Sequence, residues 1–383
     1  MAIHFEPAEF AARQAAVVAR LNERGLDGLL MFRQESMYYL TGYDTFGYVY
    51  FQCLVLGADG RLTLLTRLPD KRQAEMTSVI PDIRIWEDRE GATPAVMLRD
   101  LLAEQGFAGK RLGVEYEAYG LTARSGLQLA AALDGFCTLS DESNLVSEFR
   151  LVKSPAELVY VRRAAELADL ALDKANTMAV PGADEGHILA AMQGAIFEGG
   201  GDYPGNEFII GSGPEALLVR YHAGRRKLDA QDQLTVEFAG TYRHYHACLM
   251  RTIRVGAVPQ RAREMHKVAV DAMAACLETL RPGRTMGEVF DAHAKAMDAG
   301  GMAAHRMNAC GYSMGTTFSP NWMDWPMFFT GNPVVIQPGM VFFLHMITLD
   351  VDAGLAMMPG QTALVTAAGC EVLSKRSLDL VAN

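Results

Sequence analysis

The sequence has 383 residues, of which 50% are hydrophobic and 21% are charged, and its net charge is −10. This length exceeds what one hydrophobic core usually fills, so we expect two domains in a soluble globular protein. The negative charge argues against nucleic acid and anionic membranes as partners. No apolar stretch reaches membrane-spanning length, no secretory signal is recognisable, and the six scattered cysteines lack a CxxC pair, which together favour a cytoplasmic protein with free thiols.

The N-terminal part of the chain alternates predicted helices and strands. We predict a helix at 8–24, a strand at 26–32, a hairpin at 51–67, strands at 83–86 and 110–117, and a helix near 94–106. This alternation indicates a small α/β domain.

A helix start marks the boundary between the predicted domains. Ser154 is a suitable N-cap, Pro155 fits the first helical position, and Glu157 completes a capping box. We therefore place the domains at residues 1–153 and 154–383.

The second domain contains helices followed by strands, twice over. The predicted helices lie near 155–178, 184–198, 259–280 and 286–299, and the predicted strands lie at 208–213, in a hairpin within 234–252, at 340–350 and at 355–366. This order indicates an α+β domain in which helices cover one side of a curved antiparallel sheet.

Three polar residues in the second domain are candidates for acid–base chemistry. Glu237 lies in the otherwise apolar strand LTVEFAG, where a carboxylate is costly to bury unless it is paired or has a function. His222 lies in a predicted basic loop, where a pKa near neutral suits proton transfer but is equally ordinary for an exposed residue. His345 lies in the apolar strand VFFLHMITL, a position more typical of a hydrogen-bonded core residue than of a catalyst.

The hairpin carries His244 and His246 at positions i and i+2. If 241–251 form a strand, both side chains lie on one face, and His222 would supply a third ligand for zinc. This spacing is a weak metal signal, and a half-buried strand with two polar residues is the simpler interpretation.

Two segments, 37–51 and 318–329, are rich in aromatic residues. Most of these side chains are expected in the core or at an interface. A subset would contact a cationic ligand, and we assign Tyr43, Phe46 and Trp322 to it.

Taken in order, several segments resemble the creatinase–prolidase–methionine aminopeptidase superfamily, whose catalytic domain has the pita-bread fold. MYYLTGYDTFGY resembles an N-domain segment, and FRLVKSPAELVYVRRA resembles the linker between domains. The stretch 219–252 resembles a loop histidine followed by the metal-binding hairpin, while NACGYSMG, PGMVFFLHMI and PGQTALVT resemble the remaining ligand segments. The resemblance covers nearly the whole chain. It implies an α/β N-terminal domain plus an α+β pita-bread C-terminal domain.

The resemblance also identifies five metal-ligand positions, and all five have changed. In the metallopeptidases two aspartates, a histidine and two glutamates hold two divalent ions. The corresponding residues here are Glu237, Cys248, Tyr312, His345 and Gln361. Hard divalent ions need several anionic oxygen ligands, and one carboxylate does not supply them. The sequence therefore predicts no metal ligands at this site, no stoichiometric divalent ion in the protein and no other cofactor.

The resemblance then implies the metal-free branch, in which creatinase cleaves a C–N bond with histidine and glutamate. Ectoine hydrolase, which opens a cyclic amidine, is similar, and TGYDTFGYVYFQ resembles its segment more than that of creatinase. We expect His222, Glu237 and His345 to catalyse the attack of water on an amidine, guanidine or amide carbon of a small nitrogen compound. The expected substrate contacts are Tyr43, Phe46, His246, Cys248, Tyr312, Trp322 and Gln361.

Alternatives remain open at this point. Cys248 would be a nucleophile if His246 and His222 lowered its pKa, although a cysteine within a strand is usually inert packing. A Xaa-Pro dipeptidase-like metallopeptidase would use an unusual site built from His244, His246 and Glu237. A catalytically inactive pita-bread module would bind protein partners only, and a sulfonium-compound lyase would keep its metal ligands. The resemblance also implies a homodimer, with 37–51 as the expected contact.

Overall fold

The computed structural model describes residues 3–220 and 225–383 of the protein. Backbone contacts divide the chain into two compact units, one ending at Arg150 and the other beginning at Leu151. The boundary expected after residue 153 lies close to this division. Each unit has its own sheet and its own apolar clusters.

The first unit alternates helices and strands as predicted. Its elements are α1 (Pro7–Glu23), β1 (Gly28–Met31), α2 (Gln34–Thr41), β2 (Cys53–Gly57), β3 (Leu62–Arg67), α3 (Leu68–Thr77), β4 (Asp82–Trp86), α4 (Pro94–Glu104), β5 (Arg111–Val114), α5 (Ala123–Leu133), β6 (Thr138–Asp141) and α6 (Leu145–Arg150). The strands form one mixed sheet in the order β4-β3-β2-β1-β5-β6. Leu29 and Leu30 pack into different apolar clusters, so both faces of β1 are covered and the unit is of the α/β class.

The second unit has the predicted helices and a predominantly antiparallel set of strands. Its elements are α7 (Pro155–Met178), α8 (Glu185–Glu198), β7 (Ile209–Ser212), β8 (Asp232–Tyr242), β9 (Tyr245–Val255), α9 (Gln260–Thr279), α10 (Met286–Ala299), β10 (Gly311–Ser313), β11 (Asp324–Met327), β12 (Val341–His345), β13 (Thr348–Asp350), β14 (Leu355–Met357), β15 (Gly360–Thr366) and β16 (Gly369–Val372). The predicted capping box of α7 is present, since Ser154 and Glu157 each accept the other's backbone N–H.

The main sheet of the second unit runs in the order β11-β10-β12-β15-β9-β8-β7, with β16 added to β15. All of its pairs are antiparallel, α7 packs on β8 and β9, and α9 packs on β12. At Gly240 a Cβ would clash with the carbonyl oxygen of Ala164 on α7, so this close contact between helix and strand requires glycine. This architecture is the predicted pita-bread domain, a curved antiparallel sheet covered by helices.

Two of the predicted long strands are each divided into two shorter ones. The prediction of single strands at 340–350 and 355–366 was wrong, because the chain leaves the main sheet after His345 and returns at Gly360. Pro359 interrupts the second segment, since proline has no N–H for the ladder, and its carbonyl accepts from Met346 N at 2.9 Å. The excursion forms the separate pair β13–β14. Its turn ends at Gly354, which has a φ of 64°.

The aromatic segment 37–51 belongs mainly to the core of the first unit. Part of it forms α2, although no helix was predicted there, and Tyr38 and Tyr43 are fully buried. By contrast, Phe46 is 77% exposed and Tyr50 is 49% exposed. Val49 is also exposed, and the role of the segment in an intermolecular contact stays a prediction.

All six cysteines lie in the described part of the chain and are free thiols. Within the same residues, no helix is both long enough and apolar enough to cross a membrane.

Candidate active site

A cavity of about 170 Å³ lies on the second unit's main sheet, on the face opposite the helices. Glu237 on β8, Tyr312 on β10 and His345 at the end of β12 line it, together with Trp322 and Arg220. Three of the five positions that correspond to metal ligands therefore meet in one cavity. Its volume is below the range of about 300–1,000 Å³ typical of drug-sized ligands, which favours a compact ligand.

Strand register explains why these side chains share one face. Residues directly opposite each other in an antiparallel pair point to the same side. Glu237 lies opposite Met250, and Cys248 lies two positions before Met250 on β9, so Glu237 and Cys248 point the same way. His345 lies opposite Gly360, which also lies opposite Met250. This register places Glu237, Cys248 and His345 on the cavity side.

The same register excludes Gln361 from the site. Gln361 lies opposite Leu344, which packs in the apolar cluster beneath α9 and α10, so its side chain points away from the cavity. The expectation that Gln361 occupies a ligand position and contacts the substrate was therefore wrong. The residue that stands at this ligand position is its neighbour Gly360. A Cβ at Gly360 would lie 2.8 Å from both Met250 Cβ and Phe343 Cζ, so no side chain fits there.

A chain of hydrogen bonds orients Glu237. The indole Nε1–H of Trp322 donates to Tyr312 Oη at 2.9 Å. The phenol of Tyr312 donates to Glu237 Oε1 at 3.1 Å. Because an indole is only a donor, the phenol proton is available to the carboxylate. Oε1 of Glu237 therefore acts as a hydrogen-bond acceptor, and the phenol and indole fix the plane of the carboxylate.

The electrostatic environment brings the pKa of Glu237 into the range useful for proton transfer. Burial raises its pKa from 4.5 to about 7, against the opposing effects of the Tyr312 hydrogen bond and the positive charge of Arg220. A general acid or base works best when its pKa lies close to the working pH. Glu237 can therefore both accept and release a proton near neutral pH.

His345 is a neutral imidazole at the same cavity. Burial lowers its pKa to about 3, and the charges of His293 and Arg220 act in the same direction. Its Nδ1 is buried and has no hydrogen-bond partner among the described residues. The residue as a whole is 8% exposed and lines the cavity, so the accessible part of its ring can contact a bound ligand.

Cys248 lies beside this network as a protonated thiol. Burial and the charge of Glu237 raise its pKa well above the ordinary value. The thiolate, which is the nucleophilic form, is thereby disfavoured. The backbone N–H of Cys248 donates to Thr362 Oγ1 at 2.9 Å.

The two hairpin histidines do not share a strand face. Arg243 and His244 form the turn between β8 and β9, with φ values of 52° and 62° as type I′ turns require. The expectation that both histidines project from one strand was therefore wrong. His246 is buried, and its ring nitrogens contact Gly205 N–H at 2.8 Å and the Thr317 hydroxyl at 3.1 Å. Both nitrogens are thus engaged within the protein.

Other predicted site residues lie elsewhere or outside the described residues. His222 falls in 221–224, outside the described residues. Tyr43 and Phe46 belong to the first unit, where the Tyr43 hydroxyl donates to Gln52 Oε1 at 3.3 Å. Their roles as substrate contacts stay predictions. Arg220 was not singled out from the sequence, although it belongs to the same basic segment as His222.

The donors on the cavity face do not fit a two-metal centre. They comprise one carboxylate, Glu237, with the phenol of Tyr312, the thiol of Cys248 and the imidazole of His345, while Gly360 offers no side chain. Burial raises the pKa of the phenol and of the thiol, so neither adds negative charge. Two hard divalent ions need several anionic oxygens. Glu237, His244 and His246 do not form a metal-binding group either, within the residues described.

Comparison with known proteins places the chain in a family. Residues 13–152 match the Creatinase/Prolidase N-terminal domain, and residues 159–367 match the Metallopeptidase family M24. An uncharacterised hydrolase/peptidase of Sinorhizobium fredii is 29% identical over 99% of this chain and 98% of its own length. The ectoine hydrolase of Halomonas elongata is 26% identical over 98% of this chain and 97% of its own length.

Solved structures agree on the fold. A prolidase from Thermococcus sibiricus superposes with a TM-score of 0.87 at 19% identity, covering 98% of this chain and 99% of that one. The dipeptidase PepE from Mycobacterium ulcerans superposes with a TM-score of 0.85 at 25% identity, covering 99% of both chains. The protein is therefore a hydrolase of the M24 family, with a creatinase/prolidase-type N-terminal domain and a pita-bread C-terminal domain.

Proposed function

We propose that the protein hydrolyses a C–N bond in a small nitrogen compound without a catalytic metal. The observation that carries this proposal is the hydrogen bond from Tyr312 to Glu237 in the small cavity of the pita-bread sheet. A carboxylate held as an acceptor, with a pKa of about 7, replaces the cluster of anionic ligands that a two-metal mechanism needs.

In the proposed reaction Glu237 acts as the general base. Its carboxylate takes a proton from water while the water oxygen attacks an amidine, guanidine or amide carbon. Collapse of the tetrahedral intermediate breaks the C–N bond, and the leaving nitrogen takes up a proton. His222 is the predicted donor of that proton, and the ring of His345, which lines the cavity, would contact a polar group of the substrate. Cys248 takes no covalent part, because its thiol is kept protonated.

The similarity to the ectoine hydrolase of Halomonas elongata supports a cyclic amidine as the first substrate to test. An amidinium would also be attracted to the ionised form of Glu237. Xaa-Pro dipeptides form the competing class, since the chain is also 21% identical to the Xaa-Pro dipeptidase of Pyrococcus horikoshii over 95% of its length.

The test is a substrate panel assayed with and without a chelator. It contains ectoine, creatine, related amidines and Xaa-Pro dipeptides, with the Pyrococcus horikoshii dipeptidase as a positive control for peptide cleavage. We expect turnover of an amidine, guanidine or amide at an unchanged rate in the chelator. Cleavage of Xaa-Pro dipeptides alone, abolished by the chelator and restored by a divalent ion, would show that the proposal is wrong.

A further inference from the structure

A second group of reactive side chains lies in the second unit, outside the cavity described above. Cys276 is in the last turn of α9, His293 is on α10, and Cys310 directly precedes β10. The two sulfur atoms and a ring nitrogen of the histidine all lie within 4.8 Å of one another. Among the described residues, this is the group in which at least three histidine, cysteine or carboxylate side chains lie close enough to share one ion.

The separation of these atoms suits one small metal ion. Bonds of about 2.3 Å to sulfur and 2.0–2.1 Å to nitrogen place the ligand atoms of a tetrahedral zinc site roughly 3.3–3.8 Å apart. Ligand atoms that lie within 4.8 Å of one another reach that spacing by moving together by at most about 1 Å. The three ligands also come from three different segments, so a bound ion would tie α9, α10 and the strand β10 together.

The hydrogen-bonding state of His293 is the independent observation. The residue is 1% exposed, and its Nε2 has no hydrogen-bond partner in the described part of the chain. Its Nδ1 contacts the thioether sulfur of Met346 at 3.2 Å, which is a weak partner. The ring nitrogens of buried imidazoles normally have hydrogen-bond partners. A metal ion bound to His293 would supply the partner that its ring lacks among the described residues.

The chemistry of the ligands selects the class of metal. Thiolate and thioether sulfur with imidazole favour Zn²⁺ and Cu⁺ over the hard ions Mg²⁺, Ca²⁺ and Mn²⁺. The group is buried in the apolar cluster that includes Cys276, Cys310 and Met346, with no carboxylate in it. All three residues are buried, so no open position faces solvent as it does in a catalytic site, and we expect a structural role. Three protein ligands leave the fourth position of a tetrahedral ion to another group.

We propose that Cys276, His293 and Cys310 form a structural binding site for one thiophilic ion, Zn²⁺ or Cu⁺. The prediction of a metal-free protein was made from the five substituted ligand positions. If Cys276, His293 and Cys310 bind an ion, that prediction applies to the catalytic cavity only. The proposal does not depend on the proposed hydrolase activity, and its test measures metal content and thiol state.

The first experiment measures metal content in the full chain after expression in medium supplemented with zinc or with copper. Elemental analysis is expected to find close to one Zn or Cu per chain. Cys276→Ser and Cys310→Ser together should remove it. Two control variants outside the group, Cys248→Ser and Glu237→Gln, should retain it.

A second experiment uses the unmodified chain, in case the double variant does not fold. Protein produced in Co²⁺-supplemented medium should show thiolate-to-cobalt charge-transfer absorption, which a mercurial reagent abolishes as the metal is released. The proposal is overturned if the unmodified chain contains no metal above background and all six cysteines titrate as free thiols in denaturant. A disulfide between Cys276 and Cys310, or metal retained in the double variant, would also overturn it.

Discussion

Replacing Glu237 by glutamine should make the stability of the second unit less dependent on pH. The pKa of Glu237 is about 7 in the folded protein, against an ordinary value of 4.5 that applies when the chain is unfolded. The folded state therefore holds a proton that the unfolded state releases between these values. Because the folded pKa is the higher one, stability falls as the pH rises from 4.5 through 7.

The magnitude follows from the two pKa values. One unit of pKa corresponds to about 1.4 kcal/mol, so ionising Glu237 costs the folded state about 3 kcal/mol by about pH 8. Glutamine has nearly the same shape and does not titrate. The free energy of unfolding of Glu237→Gln, relative to the unmodified protein, should therefore increase by about 3 kcal/mol between pH 4.5 and about pH 8.

Urea unfolding followed by tryptophan fluorescence measures this difference. Trp86 lies in the first unit, so a Trp86→Phe background leaves Trp322 and Trp325 to report on the second unit alone. Glu371→Gln is the matched control, because the hydrogen bond from Arg162 lowers the pKa of Glu371. This variant should therefore show no increase in the free energy of unfolding, relative to the unmodified protein, at high pH. A free-energy difference for Glu237→Gln that stays constant across this pH range would refute the raised pKa.

Further predictions concern activity and assembly. His222→Ala should lower kcat by about 10²–10⁴-fold, and its effect should be non-additive with that of Glu237→Gln; near-normal turnover by His222→Ala would contradict the proposed mechanism. Tyr312→Phe should raise the pKa of Glu237, because it removes a hydrogen bond that lowers it, and the acid limb of the kcat/KM profile should move to higher pH; an unmoved limb would argue against Glu237 as the base. Cys248→Ser should leave kcat nearly unchanged, and complete loss of turnover would identify the thiol as a nucleophile. Light scattering at micromolar concentration should give a homodimer, and a mass near the single-chain 41.8 kDa would rule it out.

The sequence by itself determined most of the elements and their order in the chain. Local signals were sufficient for this, because helix caps, hydrophobic periodicity and turn residues act over a few positions. The capping box at Ser154 and the start of α7 at Pro155 are examples. The order of motifs also identified the fold and indicated that Glu237, Tyr312 and His345 stand where metal ligands would be expected.

Register was decided by the tertiary structure. A shift of one residue moves a strand's side chains to the opposite face, and the sequence does not fix which of two neighbours faces the cavity. Gln361 was assigned to the site, whereas pairing with Leu344 turns it towards the helices and leaves Gly360 on the cavity side. The hairpin turn likewise removed His244 from the strand that was expected to carry it.

Long-range proximity was also beyond the sequence. Cys276, His293 and Cys310 lie on two helices and the segment before a strand, and no short spacing links them as a metal motif. The pKa of Glu237 depends in the same way on burial and on Tyr312, which is 75 positions away in the chain. Sequence patterns specify which groups are available, but their distances and their access to solvent arise only when the segments pack together, and these decide the chemistry that the groups can perform.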